Sequence, residues 1–198
     1  MNTPRIDYLV SRFPQASETF IVRELDALAS EARFTFGLRS LFPAPHTSVH
    51  DIARKWVLRL RRPSFGEALL GVGWAAARNP WVLASVIATV TSSYFARPSH
   101  LARALVTVAL ACAHAKEIHR SGHSVHLHAH YATYPALAAW VCHKLLGLGY
   151  SFTAHAHDLY IDQSMLPTKI ADADFVVTIS EYNRRFLDRF VPPGSTVS

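Results

Sequence analysis

Seven of the twelve histidines fall between His123 and His157, five of them in two short runs. In His126-Leu127-His128-Ala129-His130-Tyr131 the imidazoles alternate, so a regular strand would carry all three on one face. Ser151-Phe152-Thr153-Ala154-His155-Ala156-His157-Asp158 repeats the pattern and adds a carboxylate. Both runs begin apolar and β-prone and end in histidine, which is how an α/β protein delivers reactive groups to the carboxyl ends of its strands. One chemistry open to such residues is metal ligation. His-X-His on a strand is a zinc pair, and His128, His130, His155 and His157 would make a zinc hydrolase if they converged within about 2 Å of one ion. Against that reading, no thiolate partner and no further acid–histidine cluster is present, so no metal is expected. His123, His126 and His143 read as polar fillings at strand ends.

Other signatures are missing. The loop after the first strand is Arg12-Phe13-Pro14-Gln15-Ala16-Ser17-Glu18-Thr19-Phe20, not Gly-X-Gly-X-X-Gly, and no Gly-Lys-Ser/Thr phosphate loop occurs. No serine nucleophile elbow and no cysteine with its own base is apparent. Cys112 and Cys142, thirty residues apart, read as reduced, buried thiols of a cytoplasmic protein. The amides at the start of a helix near Ser17 could hold an anionic group.

The elements that position these residues follow from periodicity. Arg5–Val10 and Arg33–Leu38 read as strands around a helix capped by Ser17 or Thr19, with the stripe Phe20, Ile21, Leu25, Leu28 and Ala29. Leu41–His50 reads as loop. Three helices follow: Phe65–Arg78, one opened by Asn79-Pro80, and Leu101–Arg120 after a break at Arg97-Pro98-Ser99. Ser124–Ala129 and Tyr150–Ala154 are the histidine-ended strands, with a helix over Tyr134–Leu146 between them. Ser164–Asp172 is a short helix. Asp174–Ile179 is apolar enough to be buried on both faces of a parallel sheet, and Ser180 caps Glu181–Phe190. This order makes an α/β fold with a parallel sheet, interrupted by a helical segment over residues 50–121.

With 198 residues, half hydrophobic and 17% charged, the chain has the makings of one good-sized core. The N-terminus lacks a signal sequence. Residues 54–116 hold nine Lys/Arg and one acid, so that segment carries +8 of a net +6 and the rest sums to −2. Such a block suits an anionic membrane or a phosphorylated lipid, with Arg54, Lys55, Arg59, Arg61 and Arg62 facing it; an ordinary solvated basic face is the plainer reading. Nothing points to nucleic acid. Asn79–Ala96 is uncharged over eighteen residues, but Pro80, Thr89, Thr91, Ser92 and Ser93 favour a buried or half-buried helix over a span.

Four blocks together resemble the bacterial exopolysaccharide glycosyltransferases of the colanic acid and amylovoran type, within glycosyltransferase family four. They are Ser11–Ile21 with Glu24, His128–Ala132, Ser151–Tyr160 and Ala173–Asn183, in the family's order. The resemblance implies the N-terminal half of a GT-B fold: a Rossmann-like, acceptor-side domain facing a nucleotide-sugar domain across a cleft. It implies a retaining transfer from a nucleotide sugar, without a bound metal or other cofactor, to a lipid-linked saccharide at the inner membrane face. His155 and Asp158 would then stand nearest the reaction. His128, His130 and His157 would line the same cleft, Ser17, Glu18 and Thr19 would approach phosphates or acceptor, and Ser180 and Glu181 would lie near the interdomain face. The family's second domain carries two glutamates with seven residues between them, which bind the donor. No pair in this chain has that separation. The expectation is an acceptor domain with negligible transferase activity alone; a non-catalytic membrane- or partner-binding module derived from such an enzyme is the alternative.

Overall fold

The structure, a computed structural model, describes residues 3–15, 19–31, 33–44 and 51–191. Six strands form one sheet: β1 Arg5–Arg12, β2 Thr35–Phe42, β3 Leu60–Arg61, β4 Ser124–His130, β5 Gly149–Ala154 and β6 Phe175–Thr178. All are parallel, in the order β3-β2-β1-β4-β5-β6. The helices are α1 Thr19–Ser30, α2 Arg54–Val57, α3 Phe65–Arg78, α4 Pro80–Tyr94, α5 Pro98–Ser121, α6 Tyr134–Leu146, α7 Ala156–Ile161, α8 Leu166–Asp172 and α9 Glu181–Leu187. The expected α/β, Rossmann-like parallel sheet with flanking helices and a helical insertion is therefore present, the insertion being α3–α5 between β3 and β4.

Right-handed crossovers explain the layering. From β1 the chain winds one way to β2 and β3, and from β4 the other way to β5 and β6. Connecting helices therefore lie on opposite faces. Tyr8, Val10, Phe36 and Leu38 pack with Ile21, Val22 and Leu25 of α1 and Trp56 of α2. Leu9, Leu41, Leu127, Ala129, Tyr150 and Phe152 pack under α3–α6 and α8. The winding reverses between β1 and β4, and the crevice there, at the carboxyl ends of the strands, is where such sheets bind ligands.

Local chemistry sets the helix ends. Ser64 and Glu67 close a capping box on α3: the Glu67 carboxylate accepts from the Ser64 amide at 2.7 Å, and the Ser64 hydroxyl accepts from the Glu67 amide at 3.3 Å. Gly122 and Gly147 end α5 and α6 with φ of 66° and 71°, which only glycine adopts freely. Gly71 has a different reason: a Cβ there would sit 2.4 Å from the Ala113 nitrogen, so α3 and α5 can cross this closely only without a side chain.

Several expectations are corrected. β1 and β2 run on through Arg12 and Phe42, because Leu41 is needed in the core. The expected break does separate α4 from α5, but it lies at residues 95–97, and Pro98 belongs to α5, opening its first turn where its missing N–H is harmless. Asn79 makes no capping bond; its side-chain amide reaches the Leu145 carbonyl at 3.4 Å and ties α4 to the end of α6. The β6 strand is not buried on both faces. It is the outermost strand described, its neighbouring helices lie on one side, and Phe175 and Val177 are 39% and 40% exposed on the other. The two cysteines are free and buried as expected.

A buried polar network, unforeseen in the sequence, sits between β1, β2 and α5. Arg39 Nε donates to Asp7 Oδ1 at 2.7 Å, Arg5 reaches the same oxygen at 3.1 Å, and Ser124 donates to Oδ2. An outer nitrogen of Arg39 lies 3.3 Å from Glu117, and His114 stands 3.4 Å from Arg39 and 3.3 Å from the Ser40 carbonyl.

Candidate functional site at the carboxyl edge of the sheet

The β4 alternation places His126, His128 and His130 on the α1 side of the sheet, and β5 places Ser151 and Thr153 beside them. His128 is saturated: Nδ1 pairs with the Ser151 hydroxyl at 2.8 Å and Nε2 with the Thr153 hydroxyl at 3.0 Å. His126 shares the Ser151 hydroxyl at 2.8 Å and stacks on Phe175, as a structural histidine should. Burial, with His130 adding to it, pushes His128 down to about 3, so it stays neutral.

His130 is different. It is fully buried, yet among the described residues neither ring nitrogen has a hydrogen-bond partner; Nε2 comes within 3.4 Å of Glu24 Oε2. Glu24, from α1, is held by the Tyr8 hydroxyl at 3.0 Å. Burial would raise the Glu24 carboxyl, but His130, His128 and Tyr8 outweigh it and hold it below its ordinary value. Beyond His130 lies His155, its ring stacked at 6.2 Å and 26°, with Phe20 and Tyr131 each 5.0 Å away. His155 Nε2 is also buried without a partner. Burial, and then His130, lower the His155 pKa, with Glu24 offsetting part, so this imidazole too is neutral near pH 7. Buried polar atoms are nearly always satisfied, so three imidazole nitrogens without a partner among the described residues, on adjacent strand ends, make this the candidate functional site.

The backbone around them is held under tension. Tyr131 has φ of 81°, a left-handed conformation costly for a bulky residue. It is fixed from both sides, its N–H donating to Thr153 O at 2.9 Å and its carbonyl accepting from Ala136 N at 3.2 Å. Asp158 completes the frame. It is 3% exposed, and its carboxylate accepts from the Ala132 and His155 amides, the latter at 2.7 Å. Burial pushes this carboxyl above its ordinary value, and the amides and the Lys169 ammonium offset only part. Lys169, fully buried and lowered by burial to about 8, donates to the Ala132 carbonyl at 2.5 Å. Asp158 thus pins the β4 and β5 loops together rather than facing the crevice.

The sequence-derived site residues divide accordingly. His128, His130 and His155 come together with Glu24, Tyr8 and Phe20; Asp158 stands behind them. His157 is exposed on α7. Ser180 caps α9, accepting from Asn183 N at 3.2 Å, and Glu181 is exposed and paired with Arg184 at 2.7 Å. Thr19 is the first residue of α1. Ser17 and Glu18 lie outside the described residues. In the basic block, Lys55 pairs with Asp26 at 2.8 Å, Arg61 bridges Glu67 and Glu117, and Arg59 lies 5.6 Å over the Trp56 ring. Arg54 and Arg62 are exposed.

The four-histidine zinc reading does not survive this geometry. Among the described residues, the ligand-type atoms that come within 4.8 Å of one another belong to Glu24, His128 and His130. His128 has both nitrogens engaged by hydroxyls, leaving two candidate ligands where a catalytic zinc takes three.

No protein-family model matches the chain, and comparison with curated proteins gives no match either.

Proposed function

We propose that this chain is the acceptor-side domain of a retaining glycosyltransferase that moves a sugar from a nucleotide sugar to a lipid-linked saccharide in surface polysaccharide synthesis. The observation that carries the reading is the buried imidazole of His130 beside the neutral, partly exposed imidazole of His155, with nitrogens that no described residue hydrogen-bonds at the carboxyl edge of a parallel sheet. Neutral imidazole both donates and accepts, which suits sugar hydroxyls. The four-block family resemblance supports the same assignment. His155, at the crevice, contacts the transferring sugar or the acceptor hydroxyl; His130 and Glu24 support it from within. The donor contacts come from a second domain, in cis or in trans. The test is transfer of labelled sugar from a panel of nucleotide sugars to a polyprenyl-diphosphate saccharide. With a donor-binding domain present, label enters the lipid product from one donor; residues 1–198 alone give negligible transfer. Release of label to water with no lipid product in any combination would overturn the assignment.

A membrane-docking role, alone or alongside transfer, has its own support in α4. One stripe of this helix, Leu83, Val86, Val90 and Tyr94, is buried. Opposite it, Trp81 is 86% and Phe95 78% exposed, and among the described residues no helix is long and apolar enough to cross a membrane. A helix apolar on both sides with one side open suits the bilayer interface, with basic residues at its flanks. The protein would sit peripherally on the cytoplasmic face of the inner membrane. The expected result is stronger co-sedimentation with anionic than with neutral vesicles, weakened several-fold by Trp81→Ser. Equal, weak binding to both vesicle types removes this role.

A further inference from the structure

A second cavity opens at the same edge of the sheet, on the α5–α6 side. It measures about 320 Å³ and is lined by Ser11, Arg12, Gln15, Phe42, Arg103 and Tyr134. Arg12 ends β1, Phe42 ends β2, Arg103 rises from the second turn of α5, and Tyr134 opens α6. Among the described residues, the lining holds two arginines and no carboxylate. Asp162, the acid that acts on Tyr134, is engaged elsewhere, 3.2 Å from Arg97. The Arg103 guanidinium lies 5.6 Å over the Tyr134 ring. Tyr134 is only 9% exposed, and its buried hydroxyl has no hydrogen-bond partner among the described residues. No side chain caps α6, so its positive end adds to the field of the arginines.

We infer that this cavity binds a phosphate or diphosphate group, held by Arg12 and Arg103 with the Tyr134 hydroxyl donating to it. Arginine forks match phosphate oxygens, and a buried phenol left without an acceptor is satisfied when an anion enters. Assigning the phosphate to the diphosphate of a lipid-linked acceptor rests on the proposed transferase function. Recognition of phosphate rests on the cavity alone. The cavity and the histidine crevice share the carboxyl edge, so one molecule with a phosphate at one end and a sugar at the other fits the pair.

Calorimetric titration of the whole chain with inorganic pyrophosphate, geranyl diphosphate and uncharged geraniol tests this. Both diphosphates are expected to bind and geraniol not to. Arg12→Gln and Arg103→Gln each weaken binding about tenfold and Tyr134→Phe several-fold. Arg33→Gln, which removes an equal charge at the opposite edge of the sheet, leaves it unchanged. Binding of geranyl diphosphate alone assigns the cavity to a lipid-linked group, and of pyrophosphate alone to a soluble one. Diphosphate binding that is absent, or is indifferent to both arginine variants, overturns the proposal. His155→Ala is expected to bind geranyl diphosphate as the parent does. If the parent protein, with a donor-binding domain present, binds geranyl diphosphate yet transfers no sugar from any donor, the result counts against the transferase assignment and not against the cavity.

Discussion

Asp7→Ala will lower the unfolding free energy by about 3–5 kcal/mol, the cost of removing one partner from a buried ion pair. Asp7 has no exposed side-chain surface and Arg39 has 2%. With Asp7 gone, the guanidinium keeps its charge and its burial, and the acid left beside it among the described residues is Glu117, whose side chain is 40% exposed and shared with Arg61. Ser124 and Arg5 lose their acceptor as well. Since whole domains are stable by about 5–15 kcal/mol, the variant is expected to be marginal in urea titration. Asp7→Leu combined with Arg39→Met should recover much of the loss, because an apolar pair leaves no stranded charge. A loss under about 1 kcal/mol for Asp7→Ala would mean that water reaches the guanidinium and the network carries little.

The same network sets the response to acid. Burial would raise the Asp7 carboxyl, but Arg39, Ser124 and Arg5 outweigh it and hold it below 3.8. Its contribution is therefore complete above that value and is lost as pH falls through the still lower folded value. His114 acts earlier. Burial, then Arg39, push it down to about 3 from 6.5, so below 6.5 the unfolded chain takes a proton that the native chain refuses. Stability then falls by roughly 1.4 kcal/mol per pH unit for such a histidine. Acid unfolding is expected to begin with the histidines, well before Asp7 titrates.

The sheet and most helices were legible because their cues are local. Asn79-Pro80 and Gly122 mark helix ends, and alternation along residues 124–130 marks a strand whatever it pairs with. The β6 error shows the limit: Phe175, Val176 and Val177 read alike, and what separates the exposed pair from the buried one is that no helix among the described residues covers one face. Polar partnerships were illegible for a similar reason. Asp7, Arg39 and His114 are 32 and 75 residues apart in sequence, and each alone reads as a solvated residue. Lys169 in a short helix gave no sign that it would be fully buried. Glu24 did leave a trace, standing four residues after Phe20 on the helical face that meets the histidines. Asp158 was singled out for its position after His-X-His, but spacing cannot tell a carboxylate that meets substrate from one that holds two amides.

His155→Ala is expected to lower kcat for sugar transfer by roughly 10²–10⁴, the range for a positioned group that hydrogen-bonds or moves a proton at the reacting centre. Stability should change little. The imidazole is partly exposed, and its Nε2 has no partner to lose. Asp158→Asn separates the two roles. It leaves one of the two loop amides poorly matched and removes the counter-charge near buried Lys169, so it should cost stability and activity together. The pH profile adds an independent mark. Because burial and His130 lower the His155 pKa, the neutral imidazole prevails above 6.5, and the acid limb of kcat must lie below that value. In the alanine variant that limb should vanish from the residual rate, while a histidine serving only as packing would leave it in place. Full activity in His155→Ala, or an acid limb above 6.5 unmoved by the substitution, would place the reacting centre elsewhere along the edge.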